Sequence, residues 1–481
     1  MENSYKTVRP SAYLEGVKPA LRKLGAALEK EYDYYSILAA DNHSRTYSVS
    51  AGGVSASADQ LQTGRGIVVR VRDAKGFAEY SFNDFSEKDI DGVLRVIREK
   101  VTGMRNGLNL PGGELERGKL TETELRFSKS TEYLIHPEEL GDRGIIDRIT
   151  ELRLKGLSMA EGLLDCAVRV SYQEVHKIFL SKKRDLEQNY LWTVGGATAL
   201  ARRGQEIKDA YGSVSGLGGA EILDGLEEKL QSFADTAVML LKSEPMVPGT
   251  YDCVCTPDVT GMIAHEAFGH GVEMDMFVKD RALAKEYIGK QVASELVTMH
   301  DGGSAAAQTG SYFFDDEGVE AHDTVIIEKG ILKRGICDTL SALALGSVPT
   351  GNGRRQDFAA KAYTRMTNTF FEGGNDSLED MIASIDYGFM LENPTSGMED
   401  PKNWGIQCMV SHAREIKNGK FTGRVLSPVV LTGYVPDLLK SISMMSPNVE
   451  LSGSGMCGKG YKEFVKVSDG GPYIKARIRL G

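Results

Sequence analysis

Cysteine is scarce in this chain, with six residues in 481 (Cys166, Cys253, Cys255, Cys337, Cys408 and Cys457). Thinly spread, they make no disulfide framework, and a reducing compartment suits any of them that serves as a thiolate ligand. Long apolar runs are missing too. No segment reaches the ~18 apolar residues of a membrane span, and Met1-Glu2-Asn3-Ser4-Tyr5-Lys6 has no basic region followed by an apolar stretch. The expectation is a cytoplasmic protein with no membrane partner. Positive charge is not in excess: 57 Lys and Arg against 67 Asp and Glu leave a formal net charge of -10, which gives no electrostatic footprint for nucleic acid.

What is present describes an ordinary soluble globular protein, 41% hydrophobic and 26% charged, long enough for two domains with sizeable cores. The expected fold class is α+β: an N-terminal helix/sheet domain over residues 1–243, with a possible subdivision near 105–140, and a strand-rich C-terminal domain over 244–481. Val17, Leu21, Leu24 and Leu28 share a helical face, and a second helix starts at Ser86 with a capping-box-like Asp89. Arg45 to Val54 alternates loosely, and Gly66 to Arg72 with Phe77 to Phe82 reads as a hairpin turning at Ala74-Lys75-Gly76. Pro111-Gly112-Gly113 marks a connector. A helix is expected over Asp142 to Leu157, then strands through Cys166 to Tyr172 and Ile178 to Lys182. Gly195 to Gly219 gives no clear period and reads as sheet with loops. A helix from Gly225 to Lys242 ends at Glu244-Pro245-Met246-Val247-Pro248-Gly249, the candidate boundary. Beyond it, Thr250 to Cys255 reads as a short strand. Thr324 to Glu328 with Ile331 to Cys337, and Gln407 to Lys417 with Lys420 to Leu426 across Asn418-Gly419, read as hairpins.

The chemistry concentrates in Thr256 to Gly271. Thr256 suits a helix N-cap, Pro257 the first turn, Asp258 the positive end and Gly271 the close. His265, Glu266 and His270 then fall within six residues. Two neutral imidazoles can bind a divalent ion while the adjacent carboxylate takes a proton from metal-bound water. The usual metallopeptidase pattern spaces its histidines four apart, whereas here they lie five apart. On a regular helix five steps turn the second side chain ~140° from the first, against ~40° for four. For both to hold one ion, the helix takes a π-type turn or unravels after Phe268, which Gly269 makes easy. The alternative is two unrelated histidines near a helix end.

Cys457 is the candidate third ligand, set in Leu451-Ser452-Gly453-Ser454-Gly455-Met456-Cys457-Gly458-Lys459-Gly460, where flanking glycines let backbone approach an ion. The same stretch mimics a dinucleotide fingerprint and a phosphate loop. Only 21 residues follow Gly460, too few for a βαβ unit, and Gly460 stands where a phosphate loop needs Ser or Thr. Cys253 and Cys255 face one side of a strand; buried core thiols are the commoner reading for such a pair. Asp315, Asp316 and Glu317 lack calcium-loop spacing and read as a solvated or structural turn. Arg354 and Arg355 either hold a substrate carboxylate or stabilise an oxyanion, or form salt bridges to acidic groups. His300 and His322 read as ordinary polar histidines.

These blocks together resemble the TldD/PmbA family of metallopeptidases. The resemblance rests on the histidine helix, Gly351-Asn352-Gly353-Arg354-Arg355, Arg365-Met366-Thr367-Asn368-Thr369-Phe370, Phe313-Phe314-Asp315-Asp316-Glu317-Gly318 and the cysteine loop, in the family's order across the C-terminal half. It implies a TldD-type catalytic member, with His265, His270 and Cys457 as ligands of one Zn2+ per chain and Glu266 as general base. It also implies short or unfolded peptide substrates and a heterodimer with a PmbA/TldE-type paralogue, with a homodimer as the alternative. Zinc suits the thiolate and imidazoles, with iron and cobalt left open. Two other readings stay open: a non-catalytic peptide-binding or assembly subunit, and a metal-dependent amidohydrolase acting on small molecules.

Overall fold

The apolar stripe of Val17, Leu21, Leu24 and Leu28 becomes the helix Ala12–Leu28, capped by the Ser11 hydroxyl, which accepts from the Leu14 amide. Ser86 and Asp89 close their reciprocal box, and after one 3-10 turn the helix Ile90–Gly107 follows. The computed structural model describes residues 4–58, 63–73, 76–107, 120–459 and 463–481; the expected connector at Pro111-Gly112-Gly113 and the turn residues Ala74 and Lys75 lie outside these.

Among the described residues the N-terminal half builds one eight-stranded sheet. Its central path runs Glu206–Leu217, Arg184–Arg203, Leu163–Ser181, Tyr34–Ser50, Gly64–Asp73 and Gly76–Phe82, all antiparallel neighbours. Several expectations are corrected in length. The two strands read at Cys166 and Ile178 are one, the segment Gly195 to Gly219 completes a long hairpin, and the loosely alternating Arg45 to Val54 spans a strand end, a turn and the next strand. The helix expected at Asp142 is Pro137–Leu157, with a break at Gly141. Helices cover one sheet face in two cores: Leu21, Leu24 and Ile97 against Ile37 and Val69, and Ile149 and Leu226 against Val168 and Val170. Since strand side chains alternate, Leu38, Val68 and Phe179 point the other way, where they meet Phe314 of the C-terminal half.

The C-terminal half is built on a ladder that closes on itself. Gly249–Cys255 pairs in parallel with Tyr387–Asp400, which continues through Gly405–Lys417, Val429–Tyr434 and Ile474–Leu480, and the last strand pairs back to the first. Closure leaves Gly249–Cys255 no free edge, so its chain exit is fixed where the histidine helix begins. A six-stranded sheet containing Met299–Asp301, Asn368–Phe371 and Ser468–Gly471 packs beside it. One large apolar core, from Met246 to Leu480, joins barrel, sheet and helix; Cys253 and Cys255 are fully buried within it. The fold is α+β, with a helix/sheet N-terminal part and a strand-rich C-terminal part carrying the histidine helix.

Candidate metal centre

The histidine helix starts at Pro257, but its threonine does not cap it: the Thr256 hydroxyl bonds Asp258 and the Leu391 carbonyl instead of a helix amide. After Pro257–Met262 the winding changes. Ile263–Gly269 is a π turn in which the His270 amide donates to the His265 carbonyl oxygen, and a 3-10 turn, His270–Val272, follows in place of a stop at Gly271. A bond spanning five residues brings the fifth side chain back over the first. The two imidazoles therefore face one another, with ring centroids 5.2 Å apart at 86°. A Cβ at Gly269 would lie 2.1 Å from Met366 Sδ, so the buried methionine would have to move to admit one.

Cys457 arrives on a two-stranded hairpin, Met456–Lys459 with Glu463–Lys466, in which it sits opposite Val465. Its buried Sγ lies 3.5 Å from His270 Nε2. Among the described residues, His265, His270 and Cys457 form the one cluster of potential metal-ligand side chains, their ligating atoms all within 4.8 Å of one another. Tetrahedral ligands at zinc bond lengths stand roughly 3.3–3.8 Å apart. The donor set fits such an ion, and the Cys457–His270 pair already stands at that separation.

Each imidazole has a carboxylate behind it. His270 Nδ1 lies 3.2 Å from Glu273 Oε2, and His265 Nδ1 lies 3.6 Å from Asp469 Oδ2, beyond hydrogen-bonding range and without another partner. Carboxylates at Nδ1 leave Nε2 for the ion. Burial alone would raise the Cys457 thiol, yet the facing His265 and His270 charges pull it well below its usual range. Reciprocally, burial opposes protonation of His265 while the Cys457 charge raises its pKa to about 9. The pocket thus favours thiolate, and a bound cation would take the place of the imidazole protons.

His265, His270, Glu273 and Cys457 line a cavity of about 930 Å³ together with Glu266, Ser396, Gly397 and Glu399. Glu266 is half-buried beside the strand Tyr387–Asp400; a Cβ on Gly397 would come within 2.3 Å of Glu266 Cγ, so the bare backbone there sets the carboxylate's position. Glu399, two residues along the same strand face, has both carboxylate oxygens buried without a well-formed hydrogen bond, with the Gly271 amide nearby. Burial pushes its pKa well above the usual range; nearby Glu266 and Glu273 push further and His270 opposes. Glu399 carried no signal in the sequence, where Met398-Glu399-Asp400 looks like solvated strand end.

Arg354 and Arg355 do not join this cavity. Both line a second one, between the N-terminal sheet and the C-terminal half, with Lys177, Tyr190 and Asp316. Arg355 forks onto Glu79 at 2.6 and 3.1 Å, while Arg354 donates to the Met366 carbonyl and lies over the Tyr312 ring. Asp315, Asp316 and Glu317 are buried rather than solvated. Asp315 accepts the Glu317, Val319 and Gly353 amides, Asp316 pairs with Lys177, and Glu317 pairs with Arg70. His300 bridges Asp323 and Glu372 at 2.7 and 2.8 Å.

Two histidines, a thiolate and an unligated glutamate in an open cavity on a mixed α/β scaffold define a candidate centre of the metallohydrolase class. Comparison with known proteins is specific: residues 248–478 match the model of the PmbA/TldA metallopeptidase C-terminal domain, and the chain belongs to the TldD/PmbA family. A metalloprotease TldD homologue of Buchnera aphidicola is 36% identical over 243 residues, 50% of this chain and 49% of the relative. A metalloprotease of Methanocaldococcus jannaschii is 27% identical over 92% of this chain and 96% of its own length. A zinc metalloprotease TldD homologue of Saccharolobus solfataricus is 30% identical over 53% and 57%. This chain thus spans about half the length of two of these relatives and nearly all of the third. Among solved structures, TldE from Thermococcus kodakarensis superimposes with a TM-score of 0.71 at 19% identity, over 96% of this chain and 100% of that one. A Thermotoga maritima protein named for modulation of a DNA gyrase does so with 0.77 at 16% identity, over 96% and 100%.

Proposed function

We propose that this protein is a TldD-type zinc peptidase that hydrolyses peptide bonds in short or unfolded polypeptides. The observation that carries the reading is the π turn, which brings His265 and His270 together on one side of the helix beside Cys457 in the cavity that Glu266 lines. Zinc held by these three side chains would supply Lewis acidity toward water and a peptide carbonyl. Glu266 takes the proton of the attacking water and passes it to the leaving amine. Glu273 holds the His270 imidazole in the orientation that keeps Nε2 toward the thiolate, and the Asp469 carboxylate stands 3.6 Å behind that of His265. A cavity of about 930 Å³ admits an extended peptide segment and excludes a folded domain.

The six unpaired, buried cysteines support work in a reducing, cytoplasmic setting. A heterodimer with a PmbA/TldE-type paralogue is the proposed assembly, supported by the likeness of this fold to TldE, with a homodimer as the alternative. Elemental analysis of the wild type and Cys457→Ala, each tested on an unstructured peptide mixture with and without such a partner, decides the matter. About one zinc per chain, lost together with cleavage in the variant, is expected. Wild type that takes up no zinc after reconstitution would make a peptide-binding subunit the better account, and cleavage of small amides alone would point to an amidohydrolase.

A further inference from the structure

The run Arg365-Met366-Thr367-Asn368-Thr369-Phe370 lines up beside the metal cavity without a part in the chemistry above. Its first residue is a guanidinium only 1% exposed. Arg365 Nη2 donates to the Cys457 carbonyl oxygen at 2.7 Å, and Nη1 donates to the Glu463 carbonyl oxygen, so one planar fork grips both strands of the cysteine hairpin. Its remaining nitrogen, Nε, stands 3.7 Å from Glu273 Oε1. The other oxygen of Glu273 meets His270 Nδ1 at 3.2 Å and Lys459 Nζ at 3.0 Å. A path of hydrogen bonds and one 3.7 Å ion pair therefore runs from the imidazole of one candidate ligand to the backbone of another.

The base of the fork is itself fixed. The Arg365 amide donates to the Asn352 carbonyl at 2.9 Å, and Asn352 Nδ2 donates back to the Arg365 carbonyl at 3.0 Å and to Asp301 at 2.7 Å. Asp301 also accepts from the Thr367 amide and hydroxyl and from the Thr369 hydroxyl. Every one of these residues is buried. That accounts for the asparagine of Gly351-Asn352-Gly353 and the threonines of the second run: they make a rigid mount.

We infer that Arg365 is a positioning residue that locks the cysteine hairpin to the histidine helix, so that Cys457 Sγ is held at ligand distance before any ion arrives. The hairpin is only four residues to a strand, and a short two-stranded ribbon is marginal on its own. Its placement has to come from outside. Lysine keeps the charge but offers no planar fork, so it cannot hold both strands at once.

The inference rests on the zinc reading, and its test separates the two. Metal-free wild type, Arg365→Lys and Arg365→Gln are compared by circular dichroism and thermal melting, by competition of zinc with a chromophoric chelator, and by the near-ultraviolet thiolate-to-metal absorption of the cobalt-loaded proteins. The expected result is folded variants that bind zinc about 10- to 100-fold more weakly, the range for lost outer-sphere support, with the cobalt–thiolate absorption diminished. A folded variant with wild-type affinity and a full thiolate absorption overturns the assignment. So does loss of fold in both variants, because Arg365 would then be supporting the domain rather than the ligand. Wild type that binds neither ion overturns this inference and the zinc reading together, whereas wild type that binds zinc but cleaves no peptide overturns the peptidase reading alone.

Discussion

The backbone amide of His270 donates to the carbonyl oxygen of His265, and this bond across five residues makes a five-residue spacing serve where four is usual. Added bulk at Gly269 displaces Met366, because a Cβ would lie 2.1 Å from its Sδ. Gly269→Ala is expected to cost about 1–3 kcal/mol, the usual range for overpacking. Thermal unfolding reads the cost, and zinc content should fall with it; unchanged stability and occupancy would mean that the turn adapts freely.

Glu266→Gln keeps the side chain's volume beside Gly397 and removes the base. Zinc content is expected to stay at the wild-type level while peptide turnover falls by about 10²- to 10⁴-fold, the span of general acid–base contributions. Retained turnover in a preparation free of wild type would take Glu266 out of this role.

Zinc bound by the folded protein stabilises it by mass action. Chelation should therefore lower the melting temperature of the wild type, and His270→Ala and Cys457→Ala should show little chelator-dependent shift. Equal shifts in wild type and variants would place the metal elsewhere.

Glu399 buries two carboxylate oxygens without a well-formed hydrogen bond, and an unsatisfied buried polar group costs about 1–3 kcal/mol. Glu399→Met should accordingly raise stability by about 1–2 kcal/mol in denaturant titration. If the carboxyl faces substrate, turnover falls in the same variant. A less stable variant would show that Glu399 has a partner in solution.

Far from the cavity, Glu174 lies between His136 Nε2 at 3.4 Å and His176 Nε2 at 3.2 Å. Burial would raise its pKa, but hydrogen bonds from these two histidines bring it down to about 2. A carboxylate with a depressed pKa contributes stability above its unfolded value of about 4.5 and loses it as pH falls toward 2. Melting temperatures of wild type and Glu174→Gln should differ most where the carboxylate is ionised and His136 still protonated, at about pH 5 to 6, and converge as the pH drops from about 5 to 2. Parallel curves across that range would refute the assignment.

The five-residue histidine spacing already demanded a π turn or an unravelled end, and the glycines around Cys457 marked a segment able to come close. The hairpin turning at Asn418-Gly419 was equally legible, because both residues take positive φ and pair Lys417 with Lys420. Other features were hidden for physical reasons. Along Arg184–Arg203 the inward positions include Ala199 and Ala201, kept small by the helix Asp224–Leu240, which brings Ala237 and its C-cap Leu241 against them, so no apolar alternation shows. Arg355 finds its carboxylate in Glu79, 276 residues away, and no local pattern announces such a pairing. Arg365 and Glu399 act through backbone groups and through missing partners, neither of which one-dimensional patterning records.

The hairpin that brings Cys457 to His270 does so from 187 residues further along the chain. At roughly 5–20 residues per second, a ribosome needs about 10–40 s to add that stretch. Throughout that interval the nascent polypeptide carries both imidazoles and the glutamate but lacks Cys457. Vectorial synthesis therefore leaves the candidate ligand set incomplete until every strand of the closed ladder but the last, Ile474–Leu480, has been made.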